Sequence, residues 1–444
     1  MTIFPMQRAM RNLCKSAIKR GVLAILDVGS AKISCLVLRF PHATEPLDRA
    51  DDTPALPRAN HFEVIAVATT RAQGVRLGEI SAMREAEGAI RTAVQKAQQK
   101  AQTPIDHVIA CFSGGNPLSY GVSGVIALED HIVDHGHIAK VLNACLLPDY
   151  GSEREVLHAQ PVNFTLDGRS GLVDPRGQRG QHLGVDMHLL TIDAAAVQNL
   201  ALCIARCDLE LAGIVNSPYA AAMASLVEDE QQLGAACIDM GAGSTGVAIF
   251  LHGHMIHADS VRLGGMHLSN DISMGLQVPI RLAERIKNLH GGVHATSHDD
   301  HEMIPLAGES GDWQHDTRCA SRAEVIAIMR PRVEEIFEEL RKPLEMAQFD
   351  KLPSRQIVLT GGGSQTPGLG ELASRVLGQQ VRLGSPMRVP KLPQDATGPE
   401  YSSLVGTCLY AAHLQDEWWD FDQPDAALSA HPLRRIGRLL RGIW

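Results

Sequence analysis

The 444-residue sequence predicts a duplicated α/β protein of two similar domains that face each other, with an α+β module inserted in the first half. Three observations predict it. An apolar strand, an Asp-x-Gly turn and a second apolar strand occur in AILDVGSAKISCLVL and recur in ACIDMGAGSTGVAIF. A third glycine-rich turn, Thr360-Gly361-Gly362-Gly363-Ser364, lies between a strand and a helix. Between the two repeats, residues 115–190 change character to short strands and turns, with Gly114, Gly115, Gly121, Gly124 and Pro161 as punctuation.

In chain order, GVLAILDVGSAKISCLVLRF (21–40) reads as two strands joined by a tight turn at Gly29–Ser30. Residues 41–60, rich in Pro, Asp and Ala, read as a loop insertion, and HFEVIAVATT as a third strand. Helical periodicity covers 80–102 and stops before Pro104; HVIACFSG follows as a strand. After the module, AAAVQNLALCIARCDLEL is a helix with an apolar face and AGIVNSPYAAAMASLV runs from strand into helix. The second repeat starts at Gly234. RLAERIKNLHG is a helix closed by glycine, 292–320 a polar, His-rich loop, and 321–349 a long charged helix that tolerates Pro331. QIVLTGGGSQTPGLGELASRVLG is strand, turn and helix; 415–430 is an acidic linker; HPLRRIGRLLRGIW closes the chain.

Composition excludes several function classes. With 45% hydrophobic residues the chain can bury a large core, and a net charge of −9 argues against nucleic-acid binding. The first twenty and last fourteen residues are basic on an acidic body, which points to contact with an anionic surface. Nine cysteines without a CxxC pair or zinc spacing read as reduced thiols in a cytoplasmic protein, Cys203 and Cys207 being small core residues. No run of eighteen apolar residues spans a bilayer, and a secretory signal is not expected. Residues 1–20, with Met6, Met10, Leu13 and Ala17 at helical spacing, read either as a weakly amphipathic arm or as a basic disordered tail.

Glycine and serine in a strand–turn–strand let backbone N–H groups approach a phosphate without a Cβ in the way. Asp27 and Asp239 end the matching strands, and two facing carboxylates suit a hydrated magnesium ion held through water. Gly29, Ser30, Ala31 and Lys32 then meet β- and γ-phosphates from one side, and Gly241, Gly243, Ser244 and Thr245 wrap the other. Each turn alone is compatible with an ordinary hairpin; three in this order favour a nucleotide. The backbone of Gly361, Gly362, Gly363 and Ser364 is placed to pass under an adenosine. Glu284 and Lys287, one helical turn apart, suit a ribose and an adenine edge, or a surface ion pair.

The segments LDVGSAK, IDMGAGSTGVAIF and IVLTGGGSQTPGL resemble the phosphate-1, phosphate-2 and adenosine motifs of the actin/heat-shock-chaperone/sugar-kinase ATPase superfamily. Within it the sequence resembles the FtsA family of bacterial cell-division proteins over residues 22–415 and in the terminal helix, with VLHAQPVNFTLDG, GVDMHLLTID and SPYAAAMASLVEDE in support. The resemblance implies an actin-like fold of four subdomains, ATP with Mg2+ as ligand, and at most weak ATPase activity. The implied divisions are a basic arm (1–20), a first subdomain (21–103), an inserted interaction module (104–185), the core of the second half (186–263), a small lobe (264–345), the remaining core (346–415), a linker (416–430) and a membrane-targeting helix (431–444). It also implies that the small lobe receives the C-terminal peptide of FtsZ and that the module serves polymer contacts and later division proteins, at the cytoplasmic face of the inner membrane at the septum. Gly246 stands where the family often has Asp, which counts against efficient hydrolysis; residues 41–60 are longer than usual and 1–20 precede the usual start. A kinase of the same superfamily and a pilus-assembly adaptor are the alternatives. The kinase has no candidate base beyond Asp27 and Asp239, and neither alternative explains the tail.

On a helix at about 100° per residue, Leu433, Ile436, Leu439, Leu440, Ile443 and Trp444 fall on one side and Arg434, Arg435, Arg438 and Arg441 on the other. This is the pattern of an interfacial helix on anionic lipid. Each Arg adds ~1 kcal/mol near such a surface, and each well-buried Leu or Ile ~1.5–3 kcal/mol. Ordering a short helix opposes both, so one tail binds reversibly and a polymer of tails binds tightly. His290, His294, His298 and His301 with Asp299 and Asp300 crowd one loop; lacking fixed spacing, they read as solvated rather than metal-binding.

Overall fold

A computed structural model describes residues 4–41, 61–129, 131–307, 317–387, 389–414 and 416–421. Most of the 41–60 insertion and the whole helix predicted at 431–444 lie outside the described residues.

The first half opens with helix α1 (Pro5–Arg20), then strands β1 (Val22–Val28), β2 (Lys32–Arg39) and β3 (Glu63–Arg71), a short hairpin β4 (Val75–Arg76) and β5 (Glu79–Ile80), helix α2 (Met83–Ala101) and strand β6 (His107–Phe112). The module follows as β7 (Leu118–Ala127), α3 (His135–Asn143), β8 (Arg154–Leu166), β9 (Arg169–Leu172) and β10 (His182–Asp193). The chain returns through α4 (Ala194–Arg206), β11 (Glu210–Asn216), α5 (Ser217–Ser225) and α6 (Glu228–Leu233). The second half carries β12 (Ala235–Met240), β13 (Thr245–Leu251), β14 (His254–Val261), α7 (Gly265–Leu276), α8 (Ile280–His290), the small hairpin β15 (Met303–Pro305) and β16 (Cys319–Ser321), α9 (Arg322–Met346), β17 (Gln356–Thr360), α10 (Leu369–Leu377), β18 (Val381–Leu383), α11 (Ser402–Ala412) and α12 (Trp418–Phe421).

The duplication is complete at the level of sheet topology. One five-stranded sheet runs β3-β2-β1-β6-β11 and the other β14-β13-β12-β17-β18. In both, the first three strands are antiparallel neighbours and the last two join in parallel. The central strands VLAILDV and AACIDM are buried on both faces, as their unbroken apolar runs require. The module forms its own sheet, β7-β10-β8-β9, over a separate core. It also touches the second half: the Ser119 hydroxyl donates to the carbonyl of Ala258 and accepts its N–H, both at 2.9 Å.

Four expectations are corrected. The reading of a disordered basic tail fails for residues 4–20, and the amphipathic alternative holds: Pro5 starts a helix at a position where its missing N–H is harmless. Met10, Cys14 and Ala17 are buried in the first core, and Met6 and Leu13 pack against it. The module begins later and ends later than 104–185, because His107–Phe112 is the central partner of β1 and β11 and because β10 runs to Asp193. The second half starts at Ala235 rather than 186, since β11 pairs in parallel with β6. Residues 416–421 are not linker; Trp418, Trp419 and Phe421 are buried in the core of the module. The long helix α9 accommodates Pro343 as well as Pro331. All nine cysteines are free and all but Cys319 are buried.

Candidate functional site

The two halves enclose a cleft of about 470 Å³ on which all three predicted turns converge. Its walls include Asp27, Gly29, Ser30, Ala31 and Lys32 from the first repeat and Asp239, Gly241, Gly243 and Ser244 from the second. Gly361, Gly362 and Gly363 line it too, as do Glu284 and Lys287 of α8.

The repeats match in atomic detail. In the first turn the Gly29 N–H donates to the carbonyl of Lys32 at 3.1 Å, and in the second the Gly241 N–H donates to that of Ser244 at 3.0 Å. The loops also meet: the Gly78 N–H donates to the Ser30 hydroxyl at 2.9 Å, and a Cβ on Gly243 would stand 2.4 Å from that oxygen. Gly361 has φ +83°, and a Cβ there would lie 2.4 Å from Oδ1 of Asp239. The third turn is thus pressed against the second, leaving backbone rather than side chains facing the cavity.

Electrostatics distinguish the two carboxylates. Burial pushes Asp27 up to about 7; Lys32 opposes that rise and the charge of Asp239 adds to it. Asp239 is also raised by burial, against the hydrogen bonds it accepts from Ser403 at 2.8 Å and Ser217 at 3.1 Å. Burial lowers Lys32, against the pull of Asp27 and Glu400; its ammonium lies 3.4 Å from the centre of the Tyr401 ring. Lys287, likewise lowered by burial, donates to the Gly265 carbonyl at 3.0 Å and to Ser269 at 2.8 Å, and pairs with Glu284 at 3.5 Å. Two neighbouring carboxylates that resist ionisation, facing bare backbone turns and a lysine, suit a divalent cation with a phosphate chain. The cation would relieve their mutual repulsion.

Two predicted residues do not line the cleft. Thr245 is buried and its hydroxyl donates to the Leu263 carbonyl at 2.8 Å; Ser364 is buried and donates to the Gly361 carbonyl at 2.7 Å. Both shape loops. The cleft also includes Ser113, Ser217, Asn288, Glu400 and Ser403, which sequence reading did not single out. Ser217 and Ser403 stand at the starts of α5 and α11, and only the former carries a local sign, the Asn-Ser-Pro helix start. Gly246 has a physical reason: a Cβ there would lie 2.1 Å from Cγ of Pro218, so the ring of α5 fills the space a side chain would need. In the His-rich loop Asp299 is taken by Thr296 and Arg322, and His290, the last residue of α8, faces Glu302. No group of three metal-ligating side chains occurs among the described residues.

Comparison with known proteins points to one family and one fold. Residues 236–406 match the family model for cell division protein FtsA, and 114–191 match the SHS2 domain inserted in FtsA. The chain is 36% identical to the cell division protein FtsA of Agrobacterium fabrum over 395 residues, covering 89% of this chain and 88% of that one. It is 38% identical to that of Rhizobium meliloti, covering 88% and 87%. To that of Pseudomonas aeruginosa it is 29% identical, covering 96% and 99%. Among solved structures, the PilM-PilN type IV pilus biogenesis complex superposes with a TM-score of 0.56 at 15% identity, covering 87% of this chain and 97% of that one. MreB 5 of Spiroplasma citri bound to AMPPNP superposes at 0.51 with 11% identity, covering 96% and 99%. The fold is that of the actin-like ATPases.

Proposed function

Because the chain belongs to the FtsA family of bacterial cell division proteins, we propose that it is an ATP-binding, actin-like adaptor that ties FtsZ filaments to the inner face of the cytoplasmic membrane. The observation that carries the reading is the convergence of the two duplicated Asp-Gly hairpins and the Gly361–Gly363 turn on one cleft. Ser30, Lys32, Gly243 and Ser244 would hold the phosphates, Asp27 and Asp239 a magnesium ion through water, and Glu284, Lys287 and the third turn the nucleoside. The magnesium ion supplies charge neutralisation of the phosphates. Gly246, backed by Pro218, leaves no carboxylate at that position, and the chain acts through its nucleotide-bound shape with weak hydrolysis at most.

No helix among the described residues is long and apolar enough to cross a membrane. The membrane contact in this reading is peripheral, through the amphipathic segment Leu433–Trp444. The small lobe built on α7–α9 would receive the C-terminal peptide of FtsZ; Met274, Ile280 and Leu289 are exposed apolar side chains there. The module, with Val125, Leu146 and Val173 exposed, would serve contacts with further copies and with later division proteins. Sedimentation with anionic liposomes, Mg-ATP and FtsZ tests the whole reading. Full-length protein should carry FtsZ into the liposome pellet, and deletion of 431–444 should abolish this while leaving nucleotide binding intact. Undiminished liposome binding after the deletion would refute the anchor.

A further inference from the structure

Three distant parts of the chain meet where its described C-terminal end docks. Phe4 makes edge contacts with the rings of Trp418 and Trp419, at 5.4 and 5.8 Å between centres. Asp420 takes a two-pronged ion pair from Arg11, at 3.0 and 2.6 Å, and a further bond from Lys15 at 2.8 Å. Just ahead of α12, Glu417 is a fully buried carboxylate. It accepts the Ala159 N–H at 2.6 Å, the Gln160 amide at 3.3 Å and Nδ1 of His158 at 3.0 Å.

The other ring nitrogen of His158 leads towards the cleft. Nε2 accepts the backbone N–H of Asn216 at 3.2 Å, so the ring proton belongs on Nδ1, where the carboxylate takes it. Asn216 is the cap of α5, and the next residue, Ser217, donates to Asp239 in the cleft. A second path runs in parallel along α11. Its first turn places Ser403 on Asp239, and Tyr410 near its far end lies edge-on to His158 at 6.0 Å. That helix of 11 residues spans about 16 Å.

We propose that these two paths form a relay coupling the state of the cleft at Asp239 to the hold on residues 416–421, the root from which the arginine-flanked tail departs. The proposal rests on reading the cleft as a nucleotide site and goes beyond it. Ser217 and Ser403 either serve Asp239, as here, or turn to a bound phosphate or to water on a cation. The exchange shifts the first turns of α5 and α11 together. Glu417 cannot surrender its donors without leaving a buried charge unpaired, so the shift is passed on rather than absorbed. The coupling is reciprocal: loosening 416–421 alters the affinity of the cleft.

Hydrogen–deuterium exchange on the full-length protein, with and without saturating Mg-AMPPNP, tests this. Nucleotide binding is measured on the same samples by calorimetry. In the unmodified protein, exchange of 416–421 and of α1 should change by about fivefold or more on nucleotide addition. Glu417→Gln keeps one acceptor oxygen and puts an NH2 where the other stood, so either Nδ1–H of His158 or the Ala159 N–H loses its acceptor and the junction is broken; that change should vanish while nucleotide still binds. Asp420→Asn makes no direct change at His158, and reaches it only through the Glu417 N–H that Asp420 accepts at 3.2 Å; it should raise basal exchange at 416–421 and shift nucleotide affinity several-fold. Bound nucleotide with no change at 416–421, or a Glu417→Gln protein that keeps the full change, would overturn the relay alone. Absence of nucleotide binding in the unmodified protein would overturn the cleft reading and the relay with it.

Discussion

The Asp27 and Asp239 hairpins share one backbone and differ in what surrounds it. Each closes with the same N–H to carbonyl bond across the turn. Around Asp27 the neighbours are a cation, Lys32, and a buried serine, Ser34, opposite the aspartate in the ladder. Around Asp239 they are two hydroxyls and, opposite in the ladder, Gly246 against the Pro218 ring. Duplication made the frame, and the two copies then diverged. One half supplies positive charge, and the other supplies neutral hydrogen-bond donors and a close contact with the helix behind it.

The largest test of that contrast alters the position opposite each aspartate. Gly246→Asp drives a side chain into Pro218 and should destabilise the fold by ~3 kcal/mol or more. Ser34→Ala loses only the bond to Thr69, at 3.1 Å, and should cost about 1 kcal/mol. Thermal unfolding of the two variants checks this, and equal shifts would show that the hairpins are not differently supported. Next in size is Gly361→Ala. It strains a backbone at φ +83° and displaces Asp239, with nothing comparable at Asp27. Nucleotide affinity, followed with a fluorescent ATP analogue, should fall about tenfold, the equivalent of 1.4 kcal/mol.

The smallest effect concerns protons. Burial holds Asp27 near 7, so below that pH it keeps a proton that a cation must displace. Mg-ATP affinity should therefore rise with pH up to about 7 and level off above it. In Asp27→Asn the rise should flatten. In Asp239→Asn it should move to lower pH, because the neighbouring charge no longer pushes Asp27 up. Without ligand the sign for stability is opposite. Between about 4 and 7 the folded state holds a proton that the unfolded chain has released, so stability falls as pH rises through that window.

Much of this was legible from local pattern. The unbroken apolar runs before Asp27 and Asp239 mark strands buried on both faces, and turn glycines mark where the chain reverses. Those signals are carried by neighbouring residues, which is why the cleft's first wall could be named residue by residue. Thr245 and Ser364 mislead because a hydroxyl in a phosphate-type turn looks the same whether it faces the cavity or the loop. The direction is set by which carbonyl lies within reach, Leu263 and Gly361 here. Residues 416–421 mislead for a related reason: an acidic, Pro-containing stretch has the composition of a linker, and Trp418 and Trp419 acquire a place only when Phe4 and the module surround them.

By itself, the sequence determined the duplication, the three glycine turns, the amphipathic pattern of 433–444 and the family, because each is written in spacing between near neighbours. Only the tertiary structure decided that β11 completes the first sheet, that α1 packs into the core, and that Ser217, Glu400 and Ser403 join the cleft. These depend on parallel pairing and helix docking between segments up to hundreds of residues apart. Such contacts form wherever burial of apolar faces is greatest, and no local motif records their address.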